Sequence, residues 1–313
     1  MVEHHTLQAN PETVAWGYWD AARDPVLRIN SGDRVTLHAV SGEPEDLPND
    51  HALVLPEQFE IHARCARGPG PHFLTGPIWM NNAEPGDTLE VRIIEIQLRD
   101  EWGWNLIEPL LGTLPEDFPS RRRLVLPIDR DAQIATLPWG IDIALKPFFG
   151  NFGVAPPPHY GRITSTIPRE HGGNLDNKDL VSGTTTYFPI WNEGALFSAG
   201  DGHAVQGHGE VCLTAIETGM IGTFELIVRK DLKLKFPRAE SPTHLISMGL
   251  NEDLDDAAKQ ALREMIDWII GLTDLSREDA YTLCSLAGDL HVTQLVDVNK
   301  GVHCMLPKAL LPV

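Results

Sequence analysis

The sequence predicts a mainly β fold, a β-sandwich-like body with an α/β portion at its C-terminal end. Three observations predict it. Short stretches of residues 1–230 alternate apolar and polar side chains, which turns one face of a strand toward a core. Proline and glycine clusters such as Gly68-Pro69-Gly70-Pro71 interrupt these stretches and exclude helix there. Helical spacing of apolar residues enters only late, over residues 251–288, and no linker-like segment divides the chain. Residues 1–313 are therefore expected to form one unit, mainly β over 1–230 and α/β over 231–313 with a helical hairpin at 251–288.

Taken in order, Pro25 to Ile29 and Arg34 to Val40 flank the turn Asn30-Ser31-Gly32-Asp33. A second Gly-Asp step, Gly86-Asp87, precedes the alternating run Thr88 to Ile96. Either a diverged internal duplication or a common turn before a strand explains the recurrence, and both remain open. Gly68 to Trp79 is expected to be an irregular loop whose His72 and Thr75 line a pocket or brace a corner. Over residues 100–160, Trp102, Trp104, Trp139, Phe148, Phe149 and Phe152 sit among glycines and prolines, and core or interface packing is the expected use. Glu170 to Asn177 is a polar, Gly-rich loop carrying metal-capable groups, and Thr184 to Ile190 reads as a strand.

Phe197 to Glu217 is the densest stretch of chemistry. Asp201, His203, His208 and Glu210 are spaced by Gly200, Gly202, Gly207 and Gly209, and apolar runs lead in and out. The expectation is two strands flanking a Gly-rich functional loop. Met220 to Val228 is a further strand. Acids at Glu252, Asp253, Asp255 and Asp256 open a helix, and Ser276 is an N-cap for a second with Asp279 at its third position. Asp289 to Asp297 and Lys300 to Pro307 return as strands, in which His291 and His303 are expected to be core or edge histidines.

The formal net charge of −19 with a pI near 5.0 argues against a nucleic-acid site, which needs a cationic patch. Cys65, Cys212, Cys284 and Cys304 are scattered, so reduced thiols are expected rather than a disulfide framework or a Cys-based zinc site. Cys212 is expected to be a buried structural thiol in an apolar strand. The polar N-terminus and the lack of a long apolar run point away from export and membrane insertion, toward the cytoplasm.

Asp201-x-His203 places two donors on one side of an extended strand, which suits a divalent ion if Glu210 or Asp176 closes the set. Such an ion would lower the pKa of a water, and a carboxylate off the metal would shuttle its proton. No nucleophile elbow or phosphate-binding loop competes with this reading.

Several segments resemble the acetamidase/formamidase family of amide hydrolases. They are Thr75 to Ile78 through Ala83 to Asp87, Gly173-Asn174-Leu175-Asp176, and Gly200 to Gly207 with Gly209-Glu210-Val211. Met248-Gly249 before Glu252 to Asp255, and Val292 to Leu295 before Lys300 to His303, follow in family order. The resemblance implies hydrolysis of a short aliphatic amide to a carboxylate and ammonia. It also implies a divalent metal, zinc before calcium. One departure is His208, where family members often carry Asp.

The expected assignments are Asp176, Asp201 and His203 as metal ligands and Glu210 as general base or further ligand. His208 is placed in the catalytic set, replacing a carboxylate as ligand or base. His72 and Gln206 are placed in the pocket to orient the amide, with Asn174 beside them holding its loop. The expected partner is a small-molecule amide, with no nucleic acid and no membrane, and the aromatic-rich middle region points to a homo-oligomer. Two other readings stay open: a hydrolase of another C–N bond in a cyclic amide or urea-like compound, and a non-catalytic oligomeric protein with a structural metal.

Overall fold

A computed structural model describes residues 2–312 and shows two large β-sheets packed face to face. The first sheet has nine strands in the order His4–Leu7, Arg34–Ala39, Met220–Arg229, Thr88–Leu98, Thr185–Pro189, Arg238–Glu240, His244–Asn251, Lys300–Pro307 and Asp289–Gln294. It runs unbroken across residue 230, so the β body and the C-terminal portion share one sheet.

The second sheet is organised on Phe197–Val205. On one edge this strand pairs with Phe148–Gly153. On the other, Phe197 to Gly200 pair with Phe73–Met80, and Gly202 to Val205 pair with Ile216–Thr218. Its two neighbours thus part at Asp201. Apolar side chains of both sheets fill the space between them, with Phe149 and Phe197 edge-on to Phe224 at 5.4 and 5.6 Å. Trp102, Trp104, Phe148, Phe149 and Phe152 are buried as expected, whereas Trp139 is 57% exposed.

The Gly-Asp turns share one construction. Asp33 Oδ2 accepts from Asn30 N at 2.8 Å, and Asp87 Oδ2 accepts from Glu84 N at 3.0 Å. The strands that follow, Arg34–Ala39 and Thr88–Leu98, flank Met220–Arg229 on opposite edges.

Four segments differ from the sequence expectation. Gly200 to Val205 belong to a strand, not a loop: a Cβ on Gly200 would strike the carbonyl of Phe73, and one on Gly202 would lie 2.5 Å from Thr218 O. These glycines are there for close strand approach. Conversely, Val211 to Ala215 turn, and the strand begins at Ile216, so Cys212 sits half-buried beside Asn105 and Thr214 rather than in a ladder. Phe73–Met80 is a strand despite its Gly and Pro, paired with Val14–Trp16, Leu27–Ile29 and Phe197–Val205. A helix, Pro56–Arg64, also interrupts the N-terminal β region, starting on a proline that needs no N–H partner.

The C-terminal helices lie at Leu254–Leu272 and Arg277–Ala287. Asp253 caps the first by accepting from Asp256 N, and Ser276 caps the second by accepting from Asp279 N. Ala257, Ala261, Met265 and Ile269 bury one face against His244–Asn251 and Lys300–Pro307. Among the described residues, no helix is long and apolar enough to cross a membrane.

Candidate active site

A cavity of about 370 Å³ opens where the two partners of Phe197–Val205 diverge. Asp176, Asp201, His203, Glu210, Glu217 and Asp297 make its floor, and Val40, Phe73, Trp104 and Leu106 wall one side. All six floor side chains are buried.

Backbone geometry aims three of these acids. Asp176, Asp201 and Glu210 have φ of +47°, +60° and +47°, the left-handed region that an L side chain enters at a cost of about 1–2 kcal/mol. Neighbouring bonds hold two of them there: Asp176 N donates to Gly150 O at 3.0 Å, and Glu210 N donates to Gly207 O at 3.2 Å.

His203 is the centre. Its Nδ1–H donates to Gln206 Oε1 at 2.9 Å, an orientation fixed because Gln206 Nε2 donates to Asp176 O at 2.8 Å. That leaves Nε2 facing Glu217 Oε2 at 3.1 Å, Asp201 Oδ2 at 3.3 Å and Asp176 Oδ1 at 3.7 Å. A bare imidazole lone pair among three carboxylate oxygens is repulsive, so a proton or a cation must sit between them.

The titration of the floor reports the same crowding. Burial would make His203 harder to protonate, but Glu217 and Asp201 outweigh it and push its pKa well above the usual histidine value. Burial also raises Asp176 and Glu210 well above the carboxylate range, helped at Asp176 by Glu210 and Asp297 and at Glu210 by Asp297, Glu217 and Asp201. Burial takes Glu217 to about 7 and Asp297 to about 6. Asp201 is the exception: burial acts to raise it, yet His72 and His203 hold it below the usual range.

Three buried carboxylate oxygens, Asp176 Oδ1, Asp201 Oδ2 and Glu210 Oε2, have no hydrogen-bond partner among the described residues. Asp176, His203 and Glu210 form one compact ligand set, and Asp201, His203 and Glu217 another, sharing His203. Orphaned hard oxygens around one imidazole fit a divalent cation. Gly150 leaves the room: a Cβ there would meet Asp176, would lie 2.6 Å from Asp201 Oδ2 and would lie 2.7 Å from His203 Cε1.

The sequence profile of the acetamidase/formamidase family matches residues 12–162 and 159–312. The chain belongs to the acetamidase/formamidase family. A formamidase of Methylophilus methylotrophus is 28% identical over 252 residues, 60% of this chain and 61% of that protein, so the chain spans about three fifths of that relative's length. The crystal structure of an acetamidase from Bacillus halodurans superposes with a TM-score of 0.85 at 31% identity, covering 98% of this chain and 100% of that one. A recombinant predicted acetamidase/formamidase from Thermoanaerobacter tengcongensis gives 0.87 at 28% identity, covering 99% and 98%. The family is one of amide hydrolases.

In this family member the expected Asp176, Asp201, His203 and Glu210 converge on one floor. His72 borders the same cavity, with Nε2 3.8 Å from Asp201 Oδ2 and Nδ1 2.9 Å from the Ser165 hydroxyl. Gln206 lies behind His203 and orients it rather than reaching the cavity. Asn174 holds carboxylates, not its own loop: its Nδ2 donates to Asp176 Oδ2 at 2.6 Å and to Asp297 Oδ2 at 2.9 Å, and its Oδ1 accepts from Asn151. His208 stands apart from the floor. Its ring packs on His291 and His303, because the turn after Val205 sends it away from the cavity into which Glu210 points.

Glu217, Asp297, Asn151 and Gly150 escaped the sequence reading as site residues. The one local signal was an acid inside an apolar run, as in Ala215-Ile216-Glu217 and Leu295-Val296-Asp297. Such an acid is buried only with a partner or a cation.

Proposed function

We propose that this chain hydrolyses a small carboxamide to a carboxylate and ammonia on the cavity floor, with a divalent cation held by Asp176, Asp201 and His203. The observation that carries the reading is the trio of partnerless carboxylate oxygens gathered around His203 at the base of a part-apolar cavity. A cation bound there, with zinc favoured by the nitrogen ligand, would lower the pKa of a water and polarise the amide carbonyl.

The chain's own groups do the rest. Gln206 keeps the His203 proton on Nδ1, so Nε2 is available on the cavity side. Asn174, tied to Asn151, fixes Asp176 and Asp297 through their Oδ2 atoms and leaves Asp176 Oδ1 toward the floor. Glu210, a buried carboxyl with a raised pKa and a free Oε2, accepts the proton of the attacking water and passes it to the amide nitrogen as the C–N bond breaks. Ammonia leaves, and the second product is the carboxylic acid. The His72 Nε2 edge is placed to meet the amide. The acyl substituent lies along Phe73, Trp104 and Leu106, a wall that suits an apolar group larger than the methyl of acetamide.

We also place the chain in a homo-oligomer. Leu110, Leu114, Phe118 and Trp139 are each more than half exposed, and light scattering at working concentration reads the subunit number.

Ammonia release from formamide, acetamide and longer amides, before and after chelation and metal add-back, tests the reading. Release that chelation abolishes and one divalent ion restores is the expected result. Asp201→Asn and His203→Ala should each lower kcat/KM on the order of a thousandfold, about 4 kcal/mol of transition-state stabilisation, in protein that still folds. Full activity in either variant would sink the assignment.

A further inference from the structure

A second cluster of side chains lies outside the cavity floor. His291 and His303 face each other directly across the antiparallel strands Asp289–Gln294 and Lys300–Pro307. Directly opposed residues project from the same face of a sheet, and the two rings stack with centroids 5.0 Å apart and planes 18° from parallel. The turn after Phe197–Val205 lays His208 onto both, with centroid distances of 4.6 and 5.4 Å. One ring nitrogen from each histidine lies within 4.8 Å of the others.

A carboxylate completes the group. Asp179 Oδ2 is 3.2 Å from His303 Nε2 and 3.7 Å from His208 Nε2, while Lys146 is paired with the other oxygen, Oδ1, at 3.2 Å. The Thr293 hydroxyl lies 2.7 Å from His303 Nδ1 and fixes that ring from behind. His208 Nδ1 is buried and has no hydrogen-bond partner among the described residues. Packing alone gives no reason to bring three imidazoles and a carboxylate to one point and leave a ring nitrogen unsatisfied.

We propose that His208, His291, His303 and Asp179 form a second divalent-cation site, distinct from the cavity floor. Three imidazoles with one carboxylate are the donor set of a zinc-class ion rather than of calcium or magnesium, which take oxygen ligands. Tetrahedral ligands about 2.0–2.1 Å from zinc lie about 3.4 Å from one another, so small side-chain rotations close the present spacing. The Thr293 hydroxyl on His303 is the outer partner that a metal-bound histidine needs.

The site has a structural consequence for the cavity. Gly209 N donates to Thr293 O at 3.0 Å, and Leu295 N donates to Gly209 O at 3.0 Å, so His208 and Glu210 hang from one turn laced to the His291 strand. A cation on His208 pins the turn from outside while Glu210 projects inward. His208 thereby acts as a positioning residue.

Metal-stripped, full-length protein titrated with Co²⁺ and with Zn²⁺ tests the site. His291→Ala and, independently, His208→Ala should each bind one equivalent fewer than the unaltered chain. Each should also lose the visible Co²⁺ absorption that persists when the cavity floor has lost a ligand. Asp201→Asn should keep both the equivalent and the band, so a cation held on the cavity floor reads out separately. Circular dichroism and a melting curve establish that each variant is folded. Unchanged stoichiometry and spectrum in both histidine variants, or no such band in the unaltered chain, overturns the proposal.

Discussion

The strand Phe197–Val205 and the helix Leu254–Leu272 use glycine in opposite ways. In the strand, Gly200 and Gly202 stand where neighbouring backbones leave no volume for a methyl group. In the helix, Gly271 has nothing within 4 Å of the place its Cβ would take. The first pair is demanded by tertiary approach, while the second is a residue the helix merely tolerates. The contrast teaches where local sequence can be read at face value. It can along the hairpin, whose helices carry their own caps and buried stripe. It cannot along the central strand, whose composition answers to chains far away in sequence.

The sharpest way to break that comparison is Gly200→Ala. Its Cβ meets the backbone of Phe73 and Leu74, which cannot rotate away, so a neighbouring strand of the second sheet must shift. A loss of more than about 3 kcal/mol, or failure to accumulate as folded protein, is expected in denaturant unfolding. An alanine variant as stable as the parent would show that the glycine is not required for strand approach.

Gly150→Ala sharpens the same comparison within one sheet. There the added methyl meets the ends of side chains, Asp176, Asp201 and His203, which can move. The fold should survive, but the floor loses its space. Cation affinity and amide turnover should fall together by about a hundredfold, since misplacement by about 1 Å costs that much. Loss of turnover with metal binding intact would separate the glycine from the proposed ligand set.

These cases also mark how far the sequence could be read. Ser276 was legible as a cap, the acids from Glu252 to Asp256 as a helix start, and the Leu254–Leu272 face as buried, because each signal spans only a turn or two of one helix. Asp176, Asp201, His203 and Glu210 stood out as polar groups among glycines. The strand itself was read as a loop, since glycine is the usual mark of a turn and only the packing reveals its other use. Glu217 and Asp297 were hidden because each sits singly in an apolar run, and the topology alone brings them to His203 and Asn174. His208 was read by its neighbours in sequence; a turn at Gly209, with φ +95°, separates its direction from that of Glu210.

A smaller effect concerns pH. In metal-free protein Glu217 is raised to about 7 and Asp297 to about 6, so the folded chain keeps protons that the unfolded chain has released. Stability is then highest below the unfolded carboxylate values and falls as pH rises through about 4 to 7. The loss should be on the order of 2 kcal/mol, read as a lower Tm at pH 8 than at pH 5.5 after chelation. Glu217→Gln should flatten the profile, and divalent metal should restore stability at pH 8.

Gly271→Ala is the smallest change and the control for the rest. Residue 271 lies in the last turn of Leu254–Leu272, exposed, with open space at the Cβ position and no left-handed backbone to oppose a side chain. Alanine there reduces the freedom of the unfolded chain and suits the helix, so a gain of about 0.5–1 kcal/mol is expected. Amide turnover should stay unchanged, because the helix faces His244–Asn251 and Lys300–Pro307 and contributes nothing to the cavity lining. A stabilised Gly271→Ala beside a collapsed Gly200→Ala would establish that the same substitution reads helix propensity in one region and interstrand volume in the other. Destabilisation at residue 271 would mean that the exposed end of the helix is covered by something beyond this chain, such as a second copy.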